Sequence, residues 1–178
     1  MKKHLLPISA FLFAVSSAHS QDASQAGFYG FVTAGPTTFN YPSGVSIETN
    51  GYQLGLGYEF NESVAIETSY GSLFNFGISN SSSSESSEMT MYNFSGVFRI
   101  PNEKITPYLK GGISSLTSDY QSSSFGNASY SSAVWTYGVG AELNLDKRTA
   151  LRLEYMSTLK QAGYVDGNVI QIGIMSRF

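Results

Sequence analysis

Cysteine is absent from this chain, and its two histidines, His4 and His19, both fall within the first twenty positions. The first absence excludes a disulfide framework and thiol chemistry. Charge is scarce as well, at 13% of residues with a formal net charge of −3. That is about half the usual charged share, and its acidic sign gives no footprint for nucleic acid. Long apolar runs are also missing. The longest, Leu5 to Val15, is too short for a membrane-spanning helix, which needs about 20 residues. Any insertion into a bilayer must then be as a closed β-barrel.

The short apolar run has its own explanation. Lys2, Lys3 and His4 precede it, and Ala18-His19-Ser20 follows with small residues at −3 and −1 of a cleavage site before Gln21. This is the layout of a secretory signal peptide over residues 1–20, leaving a mature domain of residues 21–178. Cleavage there removes both histidines and two lysines, which moves the formal charge to −5.

Aromatic residues and glycine are plentiful. Aromatics make up 14% of the 178 residues and glycine numbers 18. Much of the chain alternates with period two, as strands with two unlike faces do. The clearest case is the C-terminal stretch, where Ile170, Ile172, Ile174, Ser176 and Phe178 oppose Val169, Gln171, Gly173, Met175 and Arg177. Strands are expected at Gly27 to Gly35, Tyr52 to Phe60, Val64 to Gly71, Met89 to Ile100, Ile105 to Leu116, Ala133 to Asn144 and Thr149 to Thr158, before the C-terminal one. In the first, Phe28, Tyr29, Phe31 and Val32 put bulk on both sides, so its faces stay open.

Connections alternate between long and tight. The long ones follow strands one, three, five and seven, and the serine-rich stretches Ser72 to Glu88 and Thr117 to Ser132 are expected as loops. Tight turns fall at Asn61-Glu62, Pro101 to Lys104 and Leu145 to Arg148. An even strand count with short turns at one end and long loops at the other describes an outer-membrane barrel. The fold class is thus an all-β, eight-stranded antiparallel up-and-down transmembrane barrel with short periplasmic turns.

Charge decides the faces. Within the strands, Glu59, Glu67, Arg99, Lys110, Glu142, Arg152, Glu154 and Arg177 all lie opposite the aliphatic and aromatic stripe. A cationic side chain facing lipid at the midplane costs roughly 2–4 kcal/mol, so these eight are expected inside as a balanced network. Glu142 and Arg152 come out nearly opposite across their hairpin, a favourable cross-strand pair. With glycine, serine and glutamine elsewhere on that face, the interior is expected to be a packed polar plug. Aromatic belts are expected outside: Tyr52, Tyr70, Tyr92, Trp135 and Tyr155 near the loops, and Tyr58, Phe60, Phe98 and Phe178 near the turns. A soluble lipocalin-like barrel would need the opposite polarity.

The mature chain resembles the small outer-membrane barrels, the family of the OmpA transmembrane domain, OmpX and Ail. The resemblance rests on Tyr137-Gly138-Val139-Gly140-Ala141-Glu142-Leu143-Asn144, Leu151 to Tyr155, Pro107 to Gly112 and the terminal Ser176-Arg177-Phe178. It implies residence in the bacterial outer membrane, contact with outer-membrane lipid, and reading of the C-terminal strand, with Ile174 and Phe178 as the signal, by the barrel-assembly machinery. With Phe178 last, a peptidoglycan-binding domain like that of full-length OmpA is not expected, which aligns the chain with OmpX and Ail. Ail-like adhesins typically use basic surface patches. The expected outer loops here carry Glu48, Glu85, Glu88, Asp119 and Asp166 against Lys160, which argues against heparin or polyanion binding.

The expected role is non-enzymatic, structural or adhesin-like, through four outer loops. Phe39, Tyr41, Tyr120, Phe125 and Tyr130 are the candidate loop contacts; they would form a recognition surface or pack over the barrel mouth. A small-solute pore is the alternative, since inner charges serve either as structural pairs or as an ion path. A lipid-modifying enzyme ranks third, because a mature chain without histidine lacks the base of a Ser-His arrangement. No cofactor or metal is expected.

Overall fold

A computed structural model describes residues 26–40, 46–79, 84–122, 126–159 and 166–178. Eight antiparallel strands close into one barrel: β1 (Gly27–Asn40), β2 (Ser46–Glu59), β3 (Val64–Ser79), β4 (Ser84–Arg99), β5 (Ile105–Ser122), β6 (Gly126–Asn144), β7 (Thr149–Thr158) and β8 (Asp166–Arg177). Each strand pairs with its sequence neighbour, and β8 pairs with β1 to close the wall. At the seam Phe178 N–H donates to the Phe28 carbonyl at 2.9 Å. Closure removes every edge within the membrane, where an unpaired backbone group has no water to bond.

The three tight turns share one device. Asn61 Oδ1 accepts from the backbone N–H of Ser63 and Val64, Asn102 Oδ1 from Lys104 and Ile105, and Asp146 Oδ1 from Arg148 and Thr149. A short polar side chain reaching two and three residues ahead closes the chain without a special backbone angle.

The inner face of β1 carries Tyr29, Phe31, Thr33, Thr37 and Phe39, all buried. The opposing β2 explains how two rings fit there. Tyr29 pairs with Gly57 and Phe31 with Gly55. A Cβ on either glycine would collide with the ring across from it.

The strands run further than alternation predicts. β1 continues to Asn40, β3 to Ser79 and β5 to Ser122, while β4 starts at Ser84 and β6 at Gly126. The serine-rich stretches expected as loops are therefore largely strand. Backbone ladder bonds do not depend on the side chain, and a strand above the lipid that is polar outside loses the greasy stripe that marks it. Among the described residues, the pairing of β2 with β3 reaches Tyr52–Ser72 and that of β6 with β7 reaches Thr136–Thr158, with one further bond from Leu159 N–H to the Trp135 carbonyl, whereas β3, β4, β5 and β6 stay paired to their outer ends. Beyond the belt the described strands thus form a β3–β6 sheet and a β8–β1–β2 sheet. A β-bulge at Leu73 bends the former at its base.

Candidate functional site in the lumen and at the outer pole

All eight charged residues expected inside lie in one luminal network, six of them buried and Glu59 and Arg177 part-exposed at its mouth. Glu67 is its hub. Arg152 reaches it through two nitrogens at 2.6 and 3.0 Å, Lys110 Nζ lies at 3.0 Å, and the Tyr29 hydroxyl donates at 2.7 Å. Glu154 receives Arg152 at 2.7 Å, Lys110 at 3.3 Å and the Tyr108 hydroxyl at 2.8 Å. Nearer the periplasmic mouth, Arg99 and Arg177 each contact both Glu59 and Glu142, at 3.1 to 3.3 Å.

Rings flank the cations. Arg152 lies 4.5 Å from the Phe31 centroid and 4.7 Å from that of Tyr108, and Arg99 lies 4.9 Å from Tyr29. Glu142 and Arg152 are direct register partners, but each makes its ion pairs elsewhere: Glu142 with Arg99 and Arg177, Arg152 with Glu67 and Glu154. The expected cross-strand pair is adjacency without bonding. Tyr29, Phe31 and Tyr108 belong to the network and were not singled out; the inward parity of Tyr108 with Lys110 was the available signal.

Above this network lies a belt of uncharged polar groups. Thr33 Oγ1 donates to Gln171 Oε1 at 2.7 Å and Ser69 Oγ to Gln53 Oε1 at 3.4 Å. Asn93 Nδ2 donates to Ser114 and Thr136 at 2.8 and 3.0 Å. Higher still comes an apolar cluster of Phe39, Leu73, Met89, Met91, Leu116, Val134, Met156 and Val169. The interior is therefore not a polar plug throughout. Nor is Phe39 a loop contact: it lies inside β1 and is 2% exposed.

The apolar cluster marks an inversion of the two faces. On β5 the outward positions change from Leu109 and Ile113 to Ser115, Thr117 and Asp119, while the inward ones change from Lys110 and Ser114 to Leu116. On β4, outward Phe98, Phe94 and Tyr92 give way to Thr90 and Glu88, and inward Arg99, Ser95 and Asn93 to Met91 and Met89. In lipid a wall is greasy outside; in water it must be greasy inside. The level of Tyr52, Tyr70, Tyr92, Trp135 and Tyr155, all exposed on the outer wall, is where one regime replaces the other.

At the outer pole Glu88 and Asp119 are direct cross-strand partners on the outward face. A groove of about 450 Å³ beside them is lined by Tyr120, Gln121, Asn127 and Ser129 among others. Tyr120 and the 73%-exposed Tyr130 occupy diagonal positions on the opposite face, that of Leu116 and Val134. Tyr41, Phe125 and Lys160 lie outside the described residues. At the other pole, a cleft of about 750 Å³ is lined by Glu59, Arg99, Asn144 and Arg177 among others and opens toward the turns. There the N–H groups of Arg148 and Thr149 hold the Asp146 carboxyl below its usual range. On β8, Ile174 is exposed to the lipid side and pairs with Val32 and Leu151.

A closed barrel with a lipid-compatible outer wall, aromatic belts and a charge-compensated interior defines a transmembrane β-barrel of the outer-membrane type. The family profile of the outer membrane protein beta-barrel domain matches residues 8–178, and the chain belongs to that family. Among solved structures it is similar to Ail, the attachment invasion locus protein of Yersinia pestis, solved in complex with the heparin analogue sucrose octasulfate. That match has 21% identity and a TM-score of 0.66, covering 87% of this chain and 99% of that one. Neisserial surface protein A superposes with a TM-score of 0.72 at 15% identity, over 86% of this chain and 99% of that one. OprG of Pseudomonas aeruginosa does so with a TM-score of 0.56 at 10% identity, over 89% and 99%. No curated protein matches. The outer membrane is the location these relationships support.

Proposed function

We propose that this protein is a non-enzymatic surface-interaction barrel, adhesin-like in that its projecting strands meet partners outside the cell. The carrying observation is the face inversion. Above the belt the chain maintains water-facing sheet with an apolar core of its own, which membrane spanning alone does not require. Ail binds a sulfated heparin analogue in its structure; the pole here has the opposite charge. Glu48, Glu85, Glu88, Asp119 and Asp166 are the charged residues of its strands, so a cationic protein surface is the better electrostatic match. The engagement of every luminal carboxylate and the lack of histidine after residue 20 support the non-enzymatic reading.

This reading includes export through residues 1–20, cleavage before Gln21, and delivery to the assembly machinery through a C-terminal signal formed by Ile174 and Phe178. The test is binding of cationic and sulfated probes to the barrel in nanodiscs. Polylysine should bind at low salt and release as salt rises, while heparin should not bind. Heparin binding with no affinity for polylysine would reject the assignment. The pore reading predicts steady conductance in planar bilayers; the ionic layer and the apolar cluster above it favour silence.

A further inference from the structure

We propose that the outer wall carries a lipid-headgroup site just above the aromatic belt, where Tyr52, Tyr70, Tyr92, Glu88 and Asp119 receive the ammonium of an ethanolamine phospholipid. This goes beyond the surface-interaction reading, because the occupant is a membrane lipid and not an external protein.

Register assembles the site. Tyr70 and Tyr92 are ladder partners on β3 and β4, and their ring centroids stand 4.7 Å apart with the planes tilted by 42°. Tyr52 lies diagonal to Tyr70, whose own partner on β2 is Leu54. All three rings are exposed on the outer wall. Above Tyr92 on β4, Thr90 and then Glu88 continue the same face, and Glu88 is paired with Asp119 of β5. Tyr70 interacts electrostatically with both Tyr52 and Glu88, so the rings and the carboxylate belong to one cluster. The groove of about 450 Å³ begins at the two acids and continues past Ser86 and Gln121.

The acid pair needs a cation. Like charges directly opposite each other on a sheet destabilise it, and the described strands above the belt offer no base. Their charged residues, Glu48, Glu85, Glu88, Asp119 and Asp166, are all acidic. Lipid phosphates lie at the level of the belt, where amphipathic rings mark the interface, and add negative charge at the foot of the pair. An ethanolamine phospholipid relieves both repulsions with one group. Its ammonium stands two carbons from its phosphate, so with the phosphate among the tyrosine hydroxyls it reaches toward Glu88 and Asp119. The ring faces attract the same cation. A divalent ion such as Mg²⁺ suits the carboxylates but gives up its water reluctantly, and so gains little from the rings. An anionic headgroup without an amine is repelled. The belt alone does not choose between headgroups; the acids above it do.

The experiment is native mass spectrometry of the mature barrel released from nanodiscs of equal phosphatidylethanolamine and phosphatidylglycerol, without divalent cations. Wild type should retain phosphatidylethanolamine about fivefold over phosphatidylglycerol. The double variant Glu88→Gln with Asp119→Asn should retain the two equally, and Tyr92→Leu should lower the preference. Acetylating the lipid amine should abolish it. The wild-type ratio alone is decisive, so a variant that fails to fold leaves the test intact. Equal retention by wild type would reject the site, as would a preference that survives loss of both carboxylates. Retention of phosphatidylglycerol that rises to match when Mg²⁺ is added would place a metal between carboxylate and phosphate and overturn the assignment.

Discussion

Arg152 and Glu67 stand 85 residues apart in sequence and meet in a bidentate ion pair of 2.6 and 3.0 Å in the middle of the lumen. Neither is accessible to solvent. The pair joins β7 to β3 across the barrel, so two opposite walls are tied through their side chains alone. Removing one partner leaves the other charged and buried. Arg152→Met should destabilise the barrel by about 3–5 kcal/mol, read as the urea midpoint in lipid vesicles from the fluorescence of the single tryptophan, Trp135. A double variant, Arg152→Met with Glu67→Leu, should recover part of the loss; no recovery would mean that the pair is not the relevant contact.

The face inversion predicts different outcomes for one substitution at two outward positions of β6. Val139 faces lipid and Ser131 lies above the aromatic belt, both exposed. Val139→Arg should cost roughly 2–4 kcal/mol, depending on its depth. Ser131→Arg should change stability by no more than about 0.5 kcal/mol. Equal penalties would place the membrane boundary elsewhere.

Gly55 and Gly57 seat the rings of Phe31 and Tyr29. Gly55→Val should therefore overpack the lumen and cost about 1–3 kcal/mol. Reduced heat-modifiability on a denaturing gel, with the unfolded band appearing at lower temperature, is the readout.

Asp146 gives a pH-dependent term outside the membrane. The Arg148 and Thr149 N–H groups depress its folded pKa below the unfolded value. Its contribution is therefore present above the unfolded value, near pH 3.9, and is lost as pH falls through the folded one. Asp146→Asn keeps the acceptor, as Asn61 and Asn102 do in the other turns, but does not titrate. The stability difference between wild type and this variant should shrink as pH drops below about 4; a constant difference would exclude the carboxylate as its source.

For the C-terminal signal, Phe178→Ala should lower the amount of barrel assembled in cells while leaving refolding into detergent nearly unchanged. Parallel losses in both would make Phe178 a packing residue of the β8–β1 seam.

Much of this molecule is determined by the sequence itself. The strand count, the order of short turns, the lipid-facing stripe and the inward direction of all eight charges follow from period-two alternation, because a charge in lipid is too costly to be misplaced. The partners of those charges did not follow. Glu142 and Arg152 are adjacent in register yet bond to other residues, because closing the barrel brings Glu67, Arg99 and Arg177 within reach from other walls. The inner rings of β1 were equally hidden, since only its pairing with β2 shows that Gly55 and Gly57 have made room for them. The strand extensions and the apolar upper core, with Phe39 inside it, were also decided by tertiary structure. There the chain leaves lipid for water, the rule for which face is greasy reverses, and only the paired backbone shows that the strand has not ended.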